Sequence, residues 1–95
     1  MIYNNVLLTV KNAADIDRVA GLLARQAALS LEEPGCARFE VYQSQSDRHF
    51  FMLIEQWESE QHLADHRQAR GFTEIYQPQV LPLVDRTPHQ SDRVC

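Results

Sequence analysis

The segment Phe50-Phe51-Met52-Leu53-Ile54-Glu55-Gln56-Trp57 constrains the fold more than any other part of the chain. It is dense in aromatic and aliphatic residues, which suits a strand. Strand side chains alternate, so Phe50, Met52 and Ile54 point to one face and Phe51, Leu53 and Trp57 to the other. Both faces are apolar. A sheet built around such a strand needs cover on both sides, and a chain of 95 residues supplies a single layer of helices. That length makes one domain, 1–95, and a domain of this size buries only about 60–65% of the surface its unfolded chain exposes. A second copy of the chain is the expected cover for the remaining face.

The rest of the chain alternates in period around this strand. Ile2 to Val10 is rich in β-branched and aliphatic residues and reads as a strand, and Lys11-Asn12 supplies a turn and a cap. From Ala14 to about Leu31 the apolar positions Ile16, Val19, Ala20, Leu23 and Ala27 recur at helical spacing. Asp15 and Asp17 suit the positive end of that helix, and Pro34-Gly35 stops the chain from continuing it. Cys36 to Ser44 interleaves Phe39, Val41 and Tyr42 with polar residues, so with the loop Gln45 to Arg48 it forms a hairpin with Phe50 to Trp57. Ser59 caps a short helix carrying Leu63, Ala64 and Arg67, and Gly71 punctuates it. A second helical piece with Phe72, Ile75, Tyr76 and Val80 runs toward Leu83, where Pro78 is expected to kink or break it. Thr87 to Val94 reads as a weak last strand, interrupted by Pro88. Strand, helix, strand, strand, helices, strand is the split βαβ order of a ferredoxin-like α+β sandwich.

Charge and composition narrow the function classes. With 44% hydrophobic and 23% charged residues the chain has the composition of a folded domain. The net charge is −4 and the nine basic residues are scattered, so the phosphate-facing patch of a nucleic-acid reader is missing and an anionic membrane is a poor partner. The longest apolar run, Phe50 to Ile54, is far below the roughly 20 residues of a membrane span, and the Met1 end shows no basic-then-apolar leader pattern. A cytoplasmic location is the expectation. Cys36 and Cys95 read as free thiols. No glycine-rich phosphate loop or paired-cysteine metal signature occurs. His62 and His66 share a helix face at a spacing that could grip a metal, but no third ligand is evident nearby.

The run Ile54 to Ser59, continued by Glu60-Gln61-His62-Leu63-Ala64-Asp65-His66, closely resembles the antibiotic biosynthesis monooxygenase (ABM) family, including its quinol monooxygenases. Glu33-Pro34-Gly35-Cys36 and the Phe39-Glu40-Val41 strand carry the same resemblance, which extends from about Ile2 to Val84. It implies a homodimer whose two sheets close into a dimeric α+β barrel, as the two-faced strand independently requires. It also implies an enzyme that uses dioxygen without a cofactor. Such chemistry needs a base to form an electron-rich anion, a pocket to orient it, and shelter from water.

The resemblance also nominates residues. His66 matches the family's helix histidine and is the candidate base, since an imidazole can take a phenolic proton near neutral pH; a helix-end histidine is the plainer reading. Trp57 falls where a member with the same Gln-Trp-Glu-Ser-Glu-Gln run, here Gln56 to Gln61, has its pocket tryptophan, and a core tryptophan is the alternative. Leu53 and Leu63 stand where that member has an asparagine and a tyrosine, so its exact mechanism is not carried over. Asn5 matches an asparagine of the haem-degrading branch, whose tryptophan and iron-ligating histidine correspond to His66 and Tyr76; loss of the ligand argues against haem degradation. Asn5 and Tyr76 are therefore candidates to orient substrate oxygens, and Phe72 joins Trp57 in an aromatic wall. Arg38 either pairs with Glu40 on its strand or holds an anionic substrate. Glu55 is a charge among apolar neighbours, either a base or an interface partner.

The function expected on this footing is cofactor-independent oxidation of quinols or polycyclic phenols, with a small aromatic substrate and dioxygen as partners. Two alternatives stay open. One is a non-enzymatic dimer that binds a small molecule in the same pocket; the other is an isomerase of a small phosphorylated dicarbonyl, which would rely more on Arg38 and Glu40 than on Trp57.

Overall fold

A computed structural model describes residues Met1–Cys95. Its four strands, Ile2–Val10 (β1), Cys36–Gln43 (β2), Phe50–Trp57 (β3) and Val84–Ser91 (β4), pair antiparallel in the order β2-β3-β1-β4. The hairpin partner β3 is inserted between β1 and β2, which is what splits the βαβ unit. Helix α1 (Ile16–Ser30) follows a 3-10 turn at Ala13–Asp15, opened by the Asn12 side chain, whose Oδ1 accepts from the Ala14 amide at 2.9 Å. Helix α2 (Glu60–His66) begins at Ser59, whose hydroxyl accepts from the His62 amide at 3.2 Å. A π-helix, Gly71–Val80, and a 3-10 turn, Leu81–Leu83, lead into β4. No helix is long and apolar enough to cross a membrane.

The register fixes which side chains share a face. Asn4 pairs with Glu55, Val6 with Leu53 and Leu8 with Phe51, and these point toward the helices. There Val6, Leu8, Phe51 and Leu53 meet Val19 and Leu23 of α1 and Ile75 and Val80 of the π-helix in the main core. Tyr3, Asn5 and Leu7 alternate with that set and pair with Gln56, Ile54 and Met52 on the opposite face. No helix covers that face, and its residues are only partly buried. Both apolar faces of β3 thus exist as the alternation predicts, one of them filled by this chain's own helices.

Two expectations are corrected. The last strand starts three residues earlier than Thr87 and ends at Ser91, because Val84 anchors it in the core opposite Val10, while Val94 is 98% exposed. Pro88 is tolerated opposite Val6 because β4 is an edge strand with one free side. Pro78 does not break its helix. In this pattern amides bond five residues back, as Leu81 does to Tyr76, so Pro78 removes only the donor for the Thr73 carbonyl, and the Gln79 side-chain amide adds a bond to the neighbouring Glu74 carbonyl at 3.0 Å.

Candidate active site

His66 is the last residue of α2 and is 4% exposed. It is buried because α2 leans on the end of the sheet at Trp57 and Phe39, with Leu63 as the apolar anchor one turn earlier. The imidazole lies against the Trp57 indole with ring centres 4.4 Å apart, and Phe39 and Phe72 close two further sides at 5.8 Å each. Its two nitrogens face carboxylates: Nδ1 is 2.8 Å from Glu33 Oε1 and Nε2 is 4.0 Å from Glu55 Oε1.

Glu33 reaches this position through the tight turn after α1. Gly35 adopts φ 79°, and a Cβ there would collide with the His62 ring, so the Glu33-Pro34-Gly35 turn can press on α2 only with glycine at that place. The Gly35 carbonyl accepts from the Glu58 amide at 2.8 Å and ties the turn to the end of β3. Glu55 projects inward from β3, 3% exposed. Its Oε1 accepts from the Trp57 indole N–H at 3.0 Å and from the Asn4 amide at 3.4 Å. Beyond Phe72, Tyr76 is buried with its hydroxyl accepting from Arg86 Nε at 3.0 Å.

The charges follow from burial. Desolvation pushes the Glu33 carboxyl up to about 7 and raises Glu55 too, although the Trp57 N–H, His66 and Asn4 pull Glu55 back. Desolvation lowers His66, outweighing the attraction of Glu55. An uncharged imidazole therefore stands between two reluctant carboxylates near neutral pH, a suitable state for a proton acceptor. Burial likewise raises the Tyr76 phenol and holds the Cys36 thiol at about 11, which keeps it protonated.

Of the six residues singled out in the sequence, His66, Trp57, Phe72 and Tyr76 form one aromatic row, with Phe72 and Tyr76 ring centres 5.4 Å apart. Asn5 and Arg38 lie on the other side of the sheet. They line an open cleft of about 560 Å³ with Tyr3, Ile54, Gln56 and Ser91, so a single pocket holding all six does not match this placement. Asn5 donates to Ser91 Oγ at 3.3 Å, and Arg38 is paired with Glu40 at 2.7 Å. His62 and His66 are engaged separately, by Ser59 and Glu33, and no group of three or more metal-ligating side chains converges anywhere in the chain. The Trp57 N–H is likewise committed, to Glu55.

Three site residues escaped the sequence reading. Asn4 carried a signal, a polar residue in the inward alternation Asn4, Val6, Leu8, Val10. Arg86 and the role of Glu33 depend on a distant pairing and a turn geometry, which no local pattern reports.

A sequence model described as Antibiotic biosynthesis monooxygenase matches residues 1–77. A conserved protein of unknown function from Bacteroides thetaiotaomicron VPI-5482 has a similar structure, with 26% identity, TM-score 0.88, and 95% of this chain and 94% of that one covered. A structure of an antibiotic biosynthesis monooxygenase aligns at 23% identity and TM-score 0.86, covering 98% of this chain and 99% of that one. A variant of SnoaB, a cofactor-independent oxygenase from Streptomyces nogalater, aligns at 16% identity and TM-score 0.85, covering 99% and 93% respectively. No curated protein gives a significant sequence match.

Proposed function

The chain belongs to the antibiotic biosynthesis monooxygenase family, and from that premise we propose that it is a cofactor-free monooxygenase of quinols or related phenols, with His66 as the base. The observation that carries this reading is the buried, uncharged imidazole held at Nδ1 by Glu33 and stacked on Trp57. SnoaB, described as a cofactor-independent oxygenase, shares the fold and supports the reaction class.

The chemistry closes without an added reductant. Hydroquinone and dioxygen together contain the atoms of hydroxyquinone and water. His66 Nε2 takes a phenolic proton, and the resulting anion gives one electron to dioxygen. The two radicals join at a ring carbon; that carbon then loses its proton, the O–O bond breaks, and the departing oxygen leaves as water. Trp57 and Phe72 supply flat faces for the ring, and Tyr76, braced by Arg86, a hydroxyl at the far wall. Asn4, on the inner face, donates to Glu55 and helps hold that carboxylate beside the imidazole.

The cavity touching His66 measures about 90 Å³, below the roughly 150 Å³ that accommodates benzene. Its walls are Glu33, Pro34, Asp65, His66 and Ala69, so a ring bound between His66 and half-buried Phe72 requires the aromatic row itself to open. On the outer face, a second copy of the chain covers Leu7, Met52 and Ile54 and closes the cleft containing Asn5 and Arg38. Oxygen uptake by metal-free protein with a panel of reduced quinols tests the reaction. Uptake that falls at least about tenfold in His66→Ala, with the fold retained, supports it, and an unchanged rate removes His66 from the mechanism.

A further inference from the structure

We propose that Glu33 is the proton reservoir of the site, exchanging one proton with His66 Nδ1 while Nε2 works on the substrate, and exchanging it with solvent through the small cavity beside it; this rests on His66 being the base. The geometry is that of a relay. The imidazole is 4% exposed, whereas the Glu33 side chain is 14% exposed and touches it at 2.8 Å, so the carboxyl is the more solvent-accessible member of the pair. Both residues line the 90 Å³ cavity, whose other walls are Pro34, Asp65 and Ala69.

A second observation marks the same place as polar by construction. Glu33 Oε2 and Gln26 Oε1 are buried with no well-formed hydrogen bond from the protein, and the Ser30 hydroxyl, 0% exposed, lies close enough to the Glu33 carboxyl to pull its proton affinity down. They follow one another along α1 and the turn after it, with Ser30 and Gln26 facing Gly71. Buried polar atoms are ordinarily satisfied, and a row of them ending in a carboxylate suits water that can carry a proton.

The bookkeeping closes over a turnover. When Nε2 takes the phenolic proton, Nδ1 passes its own to Glu33 Oε1, so the ring never holds a full charge in its apolar box. When the oxygen departs, Nε2–H supplies its proton and Glu33 returns one to Nδ1. A carboxyl at about 7 can be filled and emptied near neutral pH. The groups that bias this exchange sit on every neighbouring element: Glu55 on β3, Cys36 on β2, Asp65 and Arg67 at α2, and Arg86 on β4 acting through Glu55.

NMR titration with labelled histidine and glutamate tests the pair independently of any substrate. The expected result is a Glu33 carboxyl carbon titrating near 7, with His66 Nδ1 responding in the same pH window, and loss of that response in Glu33→Gln. Glu33 titrating near 4.5 with His66 silent overturns the proposal. Under turnover, Glu33→Ala should lose at least tenfold in rate and recover at least half of it with added formate, a carboxylate small enough for the cavity. A Glu33→Ala enzyme at the wild-type rate, or one that formate leaves unchanged, overturns it as well. If wild-type protein oxidises no quinol, the oxygenase reading fails alone and the NMR titration decides the relay.

Discussion

Replacing Glu33 by glutamine should make the protein more stable at pH 8 and leave it nearly unchanged at pH 4.5. The carboxyl moves from its ordinary 4.5 to about 7 on folding. Between those values the folded chain holds more protons than the unfolded one, so stability falls as pH rises through the window and stays low above it. At about 1.4 kcal/mol per pH unit the full effect is about 3.5 kcal/mol. Glu33 borders a cavity and keeps 14% of its side chain exposed, so solvent screening reduces this to about 2 kcal/mol. Glutamine keeps an oxygen that accepts from His66 Nδ1–H, and the charge is what the substitution removes. His66 contributes in the opposite sense: its folded value lies below 6.5, so stability is lost as pH falls beneath 6.5, and the comparison is therefore read at pH 8, where the imidazole is neutral in both proteins. Urea denaturation at closely spaced pH values measures the difference, expected to grow from near zero to about 2 kcal/mol, or a rise in Tm of roughly 8 °C or more. A difference that does not depend on pH would refute the claim that Glu33 is a desolvated carboxyl.

Gly35→Ala combines positive φ with a collision against the His62 ring and should cost about 2–4 kcal/mol in a thermal or urea melt; a loss below about 0.5 kcal/mol would mean the turn does not press on α2. Trp57→Phe keeps a ring but removes the N–H that serves Glu55, so about 1–3 kcal/mol should be lost at pH 8 and less in acid, where Glu55 is protonated. Ile54→Asp places a charge on the outer face without touching the inner core, and native mass spectrometry should find a dimer in the wild type and monomer in the variant. A monomeric wild type would leave that face without its proposed partner.

The sheet was readable because β3 and its hairpin partner alternate strongly, and Phe50–Trp57 has the same limits in sequence and structure. The ends of the chain were less readable for physical reasons. β4 is an edge strand held by one neighbour, so its sequence tolerates Pro88 and a polar run, and only Val84 marks its start. The helix around Pro78 takes the π pattern, with a side-chain bond from Gln79 to the Glu74 carbonyl beside it, and no period in the sequence reveals either. His66, Trp57, Phe72 and Tyr76 were nominated from helix spacing, strand position and family likeness, and what the structure shows of them is that their rings pack in one row. Asn5 and Asn4 differ by one residue, and in a strand one residue is the difference between opposite faces. Glu33 was visible as part of a turn, but its contact with His66 spans 33 residues and depends on how α2 settles over Gly35.

The most direct measurement of the central claim is product analysis after reaction of metal-free protein with a reduced quinol under isotopically labelled dioxygen. One labelled oxygen is expected in the quinone product and the other in water, with loss of both in His66→Ala. Labelled product formed equally by His66→Ala, or quinone carrying no label, would contradict it.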